Sequence, residues 1–200
     1  MILSQVCLSF FFPKRRTGQT LLESRRQAAG KGLAKNDGSI GSDQTVIRIL
    51  FVCHGNICRS PMAEFVLRDM VERQGWAERV AVESAATSTE EIGNPVHPGT
   101  REKLRQAGIS CQGKRARQIR PEDYERFDWI VGMDDWNMRN LRRMFPGDPK
   151  GKLHKMLDFC GTGSDVADPW YTGNFDATWQ DVQRGCRAMM KQMEKELTKA

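Results

Sequence analysis

Regular patterning begins at Val46. VIRILFVC (46–53) is a β-branched run, interrupted by Arg48, short enough to be a buried strand. Beyond HGNICR, Ser60 and Pro61 pair an N-cap residue with a proline at the first helical position. Met62, Phe65, Val66 and Met70 then recur at helical spacing until Gly75. The alternation continues: VAVES (80–84) predicts a strand, PGTREKLRQAG (98–108) a helix closed by Gly108, and WIVGM (129–133) a second buried strand. Asp134 caps a helix that carries Met138, Leu141 and Phe145 and stops at Pro146-Gly147, and Lys152 to Phe159 reads as a further strand. The closing segment sets Trp179, Val182, Cys186, Met189, Met190, Met193 and Leu197 at steps of three and four, an amphipathic helix whose methionines are core. Strands alternating with helices predict an α/β fold with a mostly parallel sheet covered on both faces. Such sheets bind ligands beyond the carboxyl ends of their strands, and Cys53 ends the first one.

Residues 1–45 lack this periodicity. They carry Gly- and Ser-bearing stretches and scattered arginines, and read as a flexible basic N-terminal extension ahead of one domain at 46–200. The apolar MILSQVCLSFFF precedes the basic PKRR, the reverse of a secretory signal, while the Arg-rich, acid-poor character also fits an organelle transit segment. No stretch reaches the ~18 uninterrupted apolar residues of a membrane span. A cytoplasmic protein is expected, with import through the extension as the alternative.

The formal charge of +6 changes little once it is located, because residues 1–45 hold +4 of it and the other 155 residues only +2. No aromatic-interleaved basic stripe accompanies it, which argues against a nucleic-acid surface. Six cysteines in 200 residues, irregularly spaced, do not resemble a disulfide-stapled secreted scaffold and fit a reducing compartment. Cys160 and Cys186 fall in apolar patterns and read as buried thiols. Cys53 and Cys58 have no second Cys or His pair at ligand spacing, so no metal is expected. Of the three histidines, His54 falls in the loop facing outward, and His97 and His154 read as surface residues.

The chemistry concentrates in Cys53-His54-Gly55-Asn56-Ile57-Cys58-Arg59-Ser60, a cysteine and an arginine six positions apart between strand and helix. A loop curling into a helix N-terminus presents backbone N–H groups to an anion, and the same field favours an anionic sulfur. Arg59 supplies a planar fork for two phosphate oxygens, and Ser60 a hydroxyl for the sulfur. Gly55 is expected to take a backbone conformation closed to other residues, and Asn56 to hold the loop through its side chain. Phosphoryl transfer to sulfur also needs a proton for the leaving oxygen. Asp168, in the Gly- and Pro-bearing GSDVADPWYTGNFD, is the candidate acid, with Trp170 and Tyr171 beside it to stack on a phenyl ring and partly desolvate the carboxyl.

VCHGNICRSPMAE and DPWYTG, with SAA at 84–86, ARQI at 116–119 and the Met133-Asp134 pair, resemble the low-molecular-weight protein tyrosine phosphatases over about residues 46–200. The resemblance implies a three-layer αβα fold with a four-stranded parallel sheet. It implies a protein-tyrosine phosphatase working without cofactor or metal through a cysteinyl-phosphate, acting on phosphotyrosine proteins or small aryl phosphates, and expected to be a monomer. Carried over residue by residue, Cys53 is the nucleophile, Arg59 the phosphate clamp, and Asp168 first acid, then base. His54, Gly55, Asn56, Ile57, Cys58 and Ser60 surround the phosphate, and Ser84 supports the loop through Asn56. Glu90 stands where the family commonly has an aromatic wall residue, and Ile57 where its arginine-phosphatase branch has threonine. Cys58 matches a second loop cysteine able to form a reversible disulfide with Cys53. Two other readings stay open: an arsenate reductase of the same fold, which would need a relay of further cysteines, and a phosphate-binding module without turnover.

Overall fold

The computed structural model describes residues 46–198, within the second of the chain's two units, Gly41–Ala200. The first unit, Met1–Ile40, and with it the predicted extension at 1–45, lies outside the described residues. Strands β1 (Ile47–Cys53), β2 (Val80–Ala86), β3 (Trp129–Gly132) and β4 (Leu153–Lys155) form one parallel sheet in the order β2-β1-β3-β4. Helices α1 (Arg59–Arg73), α2 (Pro98–Gln106), α3 (Asp123–Arg126), α4 (Asp135–Met144), α5 (Pro169–Thr172) and α6 (Phe175–Leu197) connect and cover it.

Because side chains alternate across a strand, β1 divides its apolar residues between the two faces. Ile47, Ile49, Phe51 and Cys53 join α1, α2 and α6 in one core, where Met62, Leu67, Leu104, Cys186, Met189 and Met193 are all buried. Leu50 and Val52 face the other core with Ile130, Met138, Leu141, Phe127 and Phe145. These are the three layers expected from strands buried on both faces.

Three local expectations change. The segment Lys152 to Phe159 is a strand only over β4; Met156–Cys160 winds into a 3₁₀ turn ended by Gly161 in the left-handed region (φ 70°). A short apolar run does not distinguish a strand from a helical turn, and here consecutive Met156 and Leu157 both enter the core beneath α6. Met156 packs against Gly185, where an added Cβ would lie 2.8 Å from its Cγ. Helix α1 starts at Arg59 with Cys58 as its N-cap residue, so Ser60 is inside the first turn and not its cap. Cys160 is only half-buried, unlike Cys186. No helix among the described residues is long and apolar enough to cross a membrane.

Candidate active site

The loop between β1 and α1 turns on one residue. Asn56 has φ 58°, a left-handed conformation that asparagine tolerates better than most side chains. Gly55, expected to take that role, does not lie in the left-handed region; it is small because a Cβ there would come within 3.0 Å of Glu91 Cγ. The Asn56 side chain is spent entirely on holding the loop. Its Nδ2 donates to Ser60 Oγ (2.9 Å) and to Ser84 Oγ (2.7 Å), and its Oδ1 accepts from the Arg117 N–H (3.1 Å).

These bonds fix the direction of the Ser84 proton. Ser84 Oγ accepts from Asn56 and donates to Glu64 Oε2 (2.5 Å). Glu64 is a buried carboxylate of α1, compensated by Lys114 (2.6 Å) and Arg68 (2.9 Å). Ser60 Oγ likewise accepts from Asn56, and its own proton has two acceptors, Cys53 Sγ at 3.1 Å and the Ala85 carbonyl at 3.4 Å, the sulfur being the nearer. The Asn56 N–H also approaches Cys53 Sγ, at 3.3 Å. The sulfur thus faces two donors. Among the described residues, the N–H groups of Gly55, Ile57 and Cys58 give no hydrogen bond to the protein, and α1 has no side-chain cap, which leaves a cradle of donors for an anion.

Arg59 is buried between two acids: Nη1 lies 2.5 Å from Asp134 Oδ2 and Nη2 lies 2.5 Å from Asp168 Oδ2. Burial opposes its charge, but Cys53, Asp168 and Asp134 outweigh burial and hold the guanidinium above its ordinary pKa. Asp134 also caps α4, accepting from the Asn137 N–H (2.6 Å). Asp168 caps α5, accepting from the Trp170 N–H (3.0 Å). The segment before it is tied to α6, with the Ala167 N–H on Asp181 (3.0 Å) and its carbonyl on Thr178 (2.9 Å). His97 is half-buried rather than a surface residue: it caps α2, stacks on Phe175 at 5.1 Å between centroids and meets Trp170 edge-on at 6.3 Å.

One cleft of about 520 Å³ opens onto Cys53, Arg59 and Asp168 together, with His54, Gly55, Ile57, Cys58, Glu90, Trp170 and Tyr171 also on its surface. Asn56, Ser60 and Ser84 lie behind it, fully buried. Trp170 and Tyr171 stand exposed at the mouth, so the partner of the Asp168 carboxylate is the guanidinium and not an aromatic face as expected. Glu90 pairs with His54 across 3.0 Å. The Cys58 thiol is pushed up to about 12 by burial, with Cys53 and Asp168 adding to it. The sequence placed Asp134 as a helix cap and in the Met133-Asp134 pair of the resemblance but gave it no site role, and it did not assign Glu64, Glu91, Lys114 or Trp136. The Met133-Asp134 pair and the acid ending VCHGNICRSPMAE were the available signals for the first two. Among the described residues, no group of three or more His, Cys, Asp and Glu converges as metal ligands would.

A family model described as low molecular weight phosphotyrosine protein phosphatase matches residues 48–199. The low molecular weight protein-tyrosine-phosphatase YfkJ of Bacillus subtilis is 41% identical over 153 residues, 76% of this chain and 98% of that protein. Its crystal structure superposes with a TM-score of 0.74, covering 76% of this chain and 97% of that one. The low molecular weight phosphotyrosine protein phosphatase 1 of Drosophila melanogaster is 37% identical over 152 residues, 74% of this chain and 97% of that protein. A Drosophila arginine phosphatase has the same fold at 26% identity and a TM-score of 0.68, over 74% of this chain and 98% of that one. With its four-stranded parallel sheet and this loop at the end of β1, the chain belongs to the low-molecular-weight protein tyrosine phosphatase family.

Proposed function

We propose that this chain hydrolyses phosphotyrosine, in proteins or as small aryl phosphates, with Cys53 as nucleophile, Arg59 as phosphate clamp and Asp168 as proton carrier. The observation that carries the reading is the convergence of sulfur, guanidinium and carboxylate on one cleft. In the first step the Cys53 sulfur forms a bond to phosphorus while the ester P–O bond breaks, and Asp168 delivers its proton to the departing phenolate oxygen. Arg59 and the loop N–H groups hold the equatorial oxygens through the transition state. In the second step Asp168, now a carboxylate, takes a proton from water as the water oxygen attacks phosphorus. The S–P bond breaks, and Ser60 donates to the sulfur that leaves. Phosphate is released and every group returns to its starting state.

Ile57 on the cleft wall supports phosphotyrosine over phosphoarginine, as does 41% identity to a tyrosine phosphatase against 26% to the arginine phosphatase. An arsenate reductase would need a cysteine relay. Cys111 and Cys160 line separate surface depressions, neither of them the Cys53 cleft. The free cysteines support a reducing, cytoplasmic setting, and the small charge of residues 46–200 supports a protein that binds no nucleic acid.

The test is relative rates of the full-length protein on phosphotyrosine, phosphoarginine, phosphoserine and p-nitrophenyl phosphate, with Cys53→Ser alongside. Phosphotyrosine should be the fastest of the three amino acids and Cys53→Ser inert. A faster phosphoarginine rate would overturn the substrate, and turnover by Cys53→Ser would overturn the nucleophile.

A further inference from the structure

We propose that the outer face of α4 docks an acidic flank of the phosphopeptide, while Glu90 and Glu91 on the opposite wall repel that charge, so that the cleft selects peptides with acids on one side of the phosphotyrosine. The inference rests on the phosphotyrosine reading above and concerns what lies around the phenyl ring.

The sheet order sets up two unlike walls. β1 lies between β2 and β3, so the loop after β2 and the helix after β3 flank the Cys53 loop from opposite sides. The first wall is acidic. Glu90 is exposed and held by His54, and Glu91 packs against Gly55 and accepts from Asn94 Nδ2 at 2.6 Å. The second wall is aromatic and basic. At 100° per residue, α4 buries Asn137, Met138 and Leu141 and turns Trp136, Arg139 and Arg143 outward as one row.

Trp136 is 52% exposed and is part of the cleft surface, and the Arg139 guanidinium lies 5.2 Å from the centroid of its ring. Among the described residues, no carboxylate forms an ion pair with Arg139, Arg142 or Arg143. The two acids at the start of α4 are taken, Asp134 by Arg59 and Asp135 by Lys155 (2.8 Å). Favourable interaction with the carbonyl end of the helix accounts for Arg142 and Arg143 near the last turn. It does not account for a large exposed indole at the mouth with a cation drawn over it. From Trp136 to Arg143 the row runs about 10 Å, the reach of about three residues of extended peptide. Carboxylates at those positions would meet guanidinium groups that hold no ion pair, although the Asp135 charge is felt at Arg139 and Arg142, whereas on the far side they would meet Glu90 and Glu91.

The test uses the full-length protein and three peptides that share one central phosphotyrosine: acids N-terminal to it, acids C-terminal to it, and neutral flanks. p-Nitrophenyl phosphate, which has no flank, is the reference. One acidic peptide should exceed the neutral one in kcat/KM by about 3- to 10-fold, the range for two or three exposed charge pairs, and 0.5 M salt should remove most of the gain. Arg139→Gln with Arg143→Gln should erase the gain and keep p-nitrophenyl phosphate turnover within about twofold. Glu90→Gln with Glu91→Gln should relieve the penalty on the other acidic peptide. Equal rates on all three peptides, or a preference that survives loss of both arginines, overturns the proposal. So does undiscriminated peptide turnover combined with Arg139- and Arg143-dependent sedimentation on phosphatidylserine vesicles, which would make the face a membrane contact. Failure of the wild type on p-nitrophenyl phosphate is a different result: it removes the phosphatase reading and the docking strip with it.

Discussion

Asp168 Oδ2 lies 2.5 Å from Arg59 Nη2, so the proposed proton carrier occupies one prong of the fork that a phosphate would need. Asp134 holds the other prong, but it is also committed to capping α4, the longer of the two helices these acids cap. Asp168, the cap of the one-turn helix α5, is the acid placed to yield. Asp168→Asn should therefore separate catalysis from binding. Turnover on substrates with poor leaving groups, such as phenyl phosphate, should fall by about 10² to 10⁴, the span of one acid-base group. Inhibition by inorganic phosphate should be unchanged or tighter, because a competing negative charge is gone. A loss of only a few-fold on phenyl phosphate would move the acid role elsewhere.

Asp134→Asn should do the reverse. Asparagine still caps α4, so the helix remains, while the guanidinium loses its fixed ion pair. The inhibition constant for phosphate should rise by about 10- to 150-fold, in line with one charge-assisted hydrogen bond, and kcat should fall less. Phosphate titration of both variants checks the contrast; equal effects in the two would mean that the acids are interchangeable.

At Asn56, conformation and hydrogen bonding can be tested apart. Asn56→Ala loses the bonds to Ser60, Ser84 and Arg117 and keeps a Cβ at φ 58° without the polar side chain that offsets its cost, so thermal or denaturant unfolding should show a loss of about 2–3 kcal/mol. Asn56→Gly tolerates the conformation and should regain about 1 kcal/mol of that loss. Activity should stay low in both, since Ser60 is no longer oriented toward Cys53. Recovery of activity by glycine would show that only the backbone turn matters.

The Cys53–Ser60 loop was legible because its chemistry is written in consecutive residues, and the short β-branched run before it and the helical spacing after it identified the two elements it joins. What the sequence did not reveal lies across the fold. Glu64 and Lys114, fifty residues apart, meet under Ser84, and Asp134 reaches Arg59 only because β3 lies beside β1. Asn56 holds the loop through its side chain as expected but also takes the left-handed conformation expected of Gly55, whose small size answers instead to Glu91 on another loop. The fourth strand was overextended because Met156 and Leu157 supply the same apolar letters to a 3₁₀ turn as to a strand.

Cys58 is buried with its thiol pushed up to about 12, so near neutral pH it is fully protonated. Iodoacetamide at pH 7 should label Cys53 and leave Cys58 unmodified by peptide mass spectrometry, with phosphate slowing the Cys53 reaction. The largest cause of the Cys58 shift is burial, which oxidation of Cys53 leaves in place, so the disulfide that the family resemblance suggests requires Cys58 to give up its proton as the sulfenic acid is attacked. After peroxide treatment the wild type should recover under dithiol, and Cys58→Ser should recover less because Cys53 proceeds to irreversible acids. Equal recovery would remove the protective role.

His154, expected at the surface, is half-buried against Trp129 and Phe159, with ring centroids at 6.2 and 5.4 Å. Burial lowers its pKa below the ordinary 6.5, and the charges of Asp148, Asp158 and Glu196 only partly restore it. The unfolded chain therefore binds this proton more readily than the folded one. The contribution of neutral His154 is fully present above about pH 6.5 and is lost progressively as pH falls below it. His154→Gln keeps a polar side chain without a titrating group, so its unfolding free energy should depend less steeply on pH between about 6.5 and 5 than that of the wild type. Parallel pH profiles of denaturant unfolding would show instead that the ring is protonated as readily in the fold as outside it.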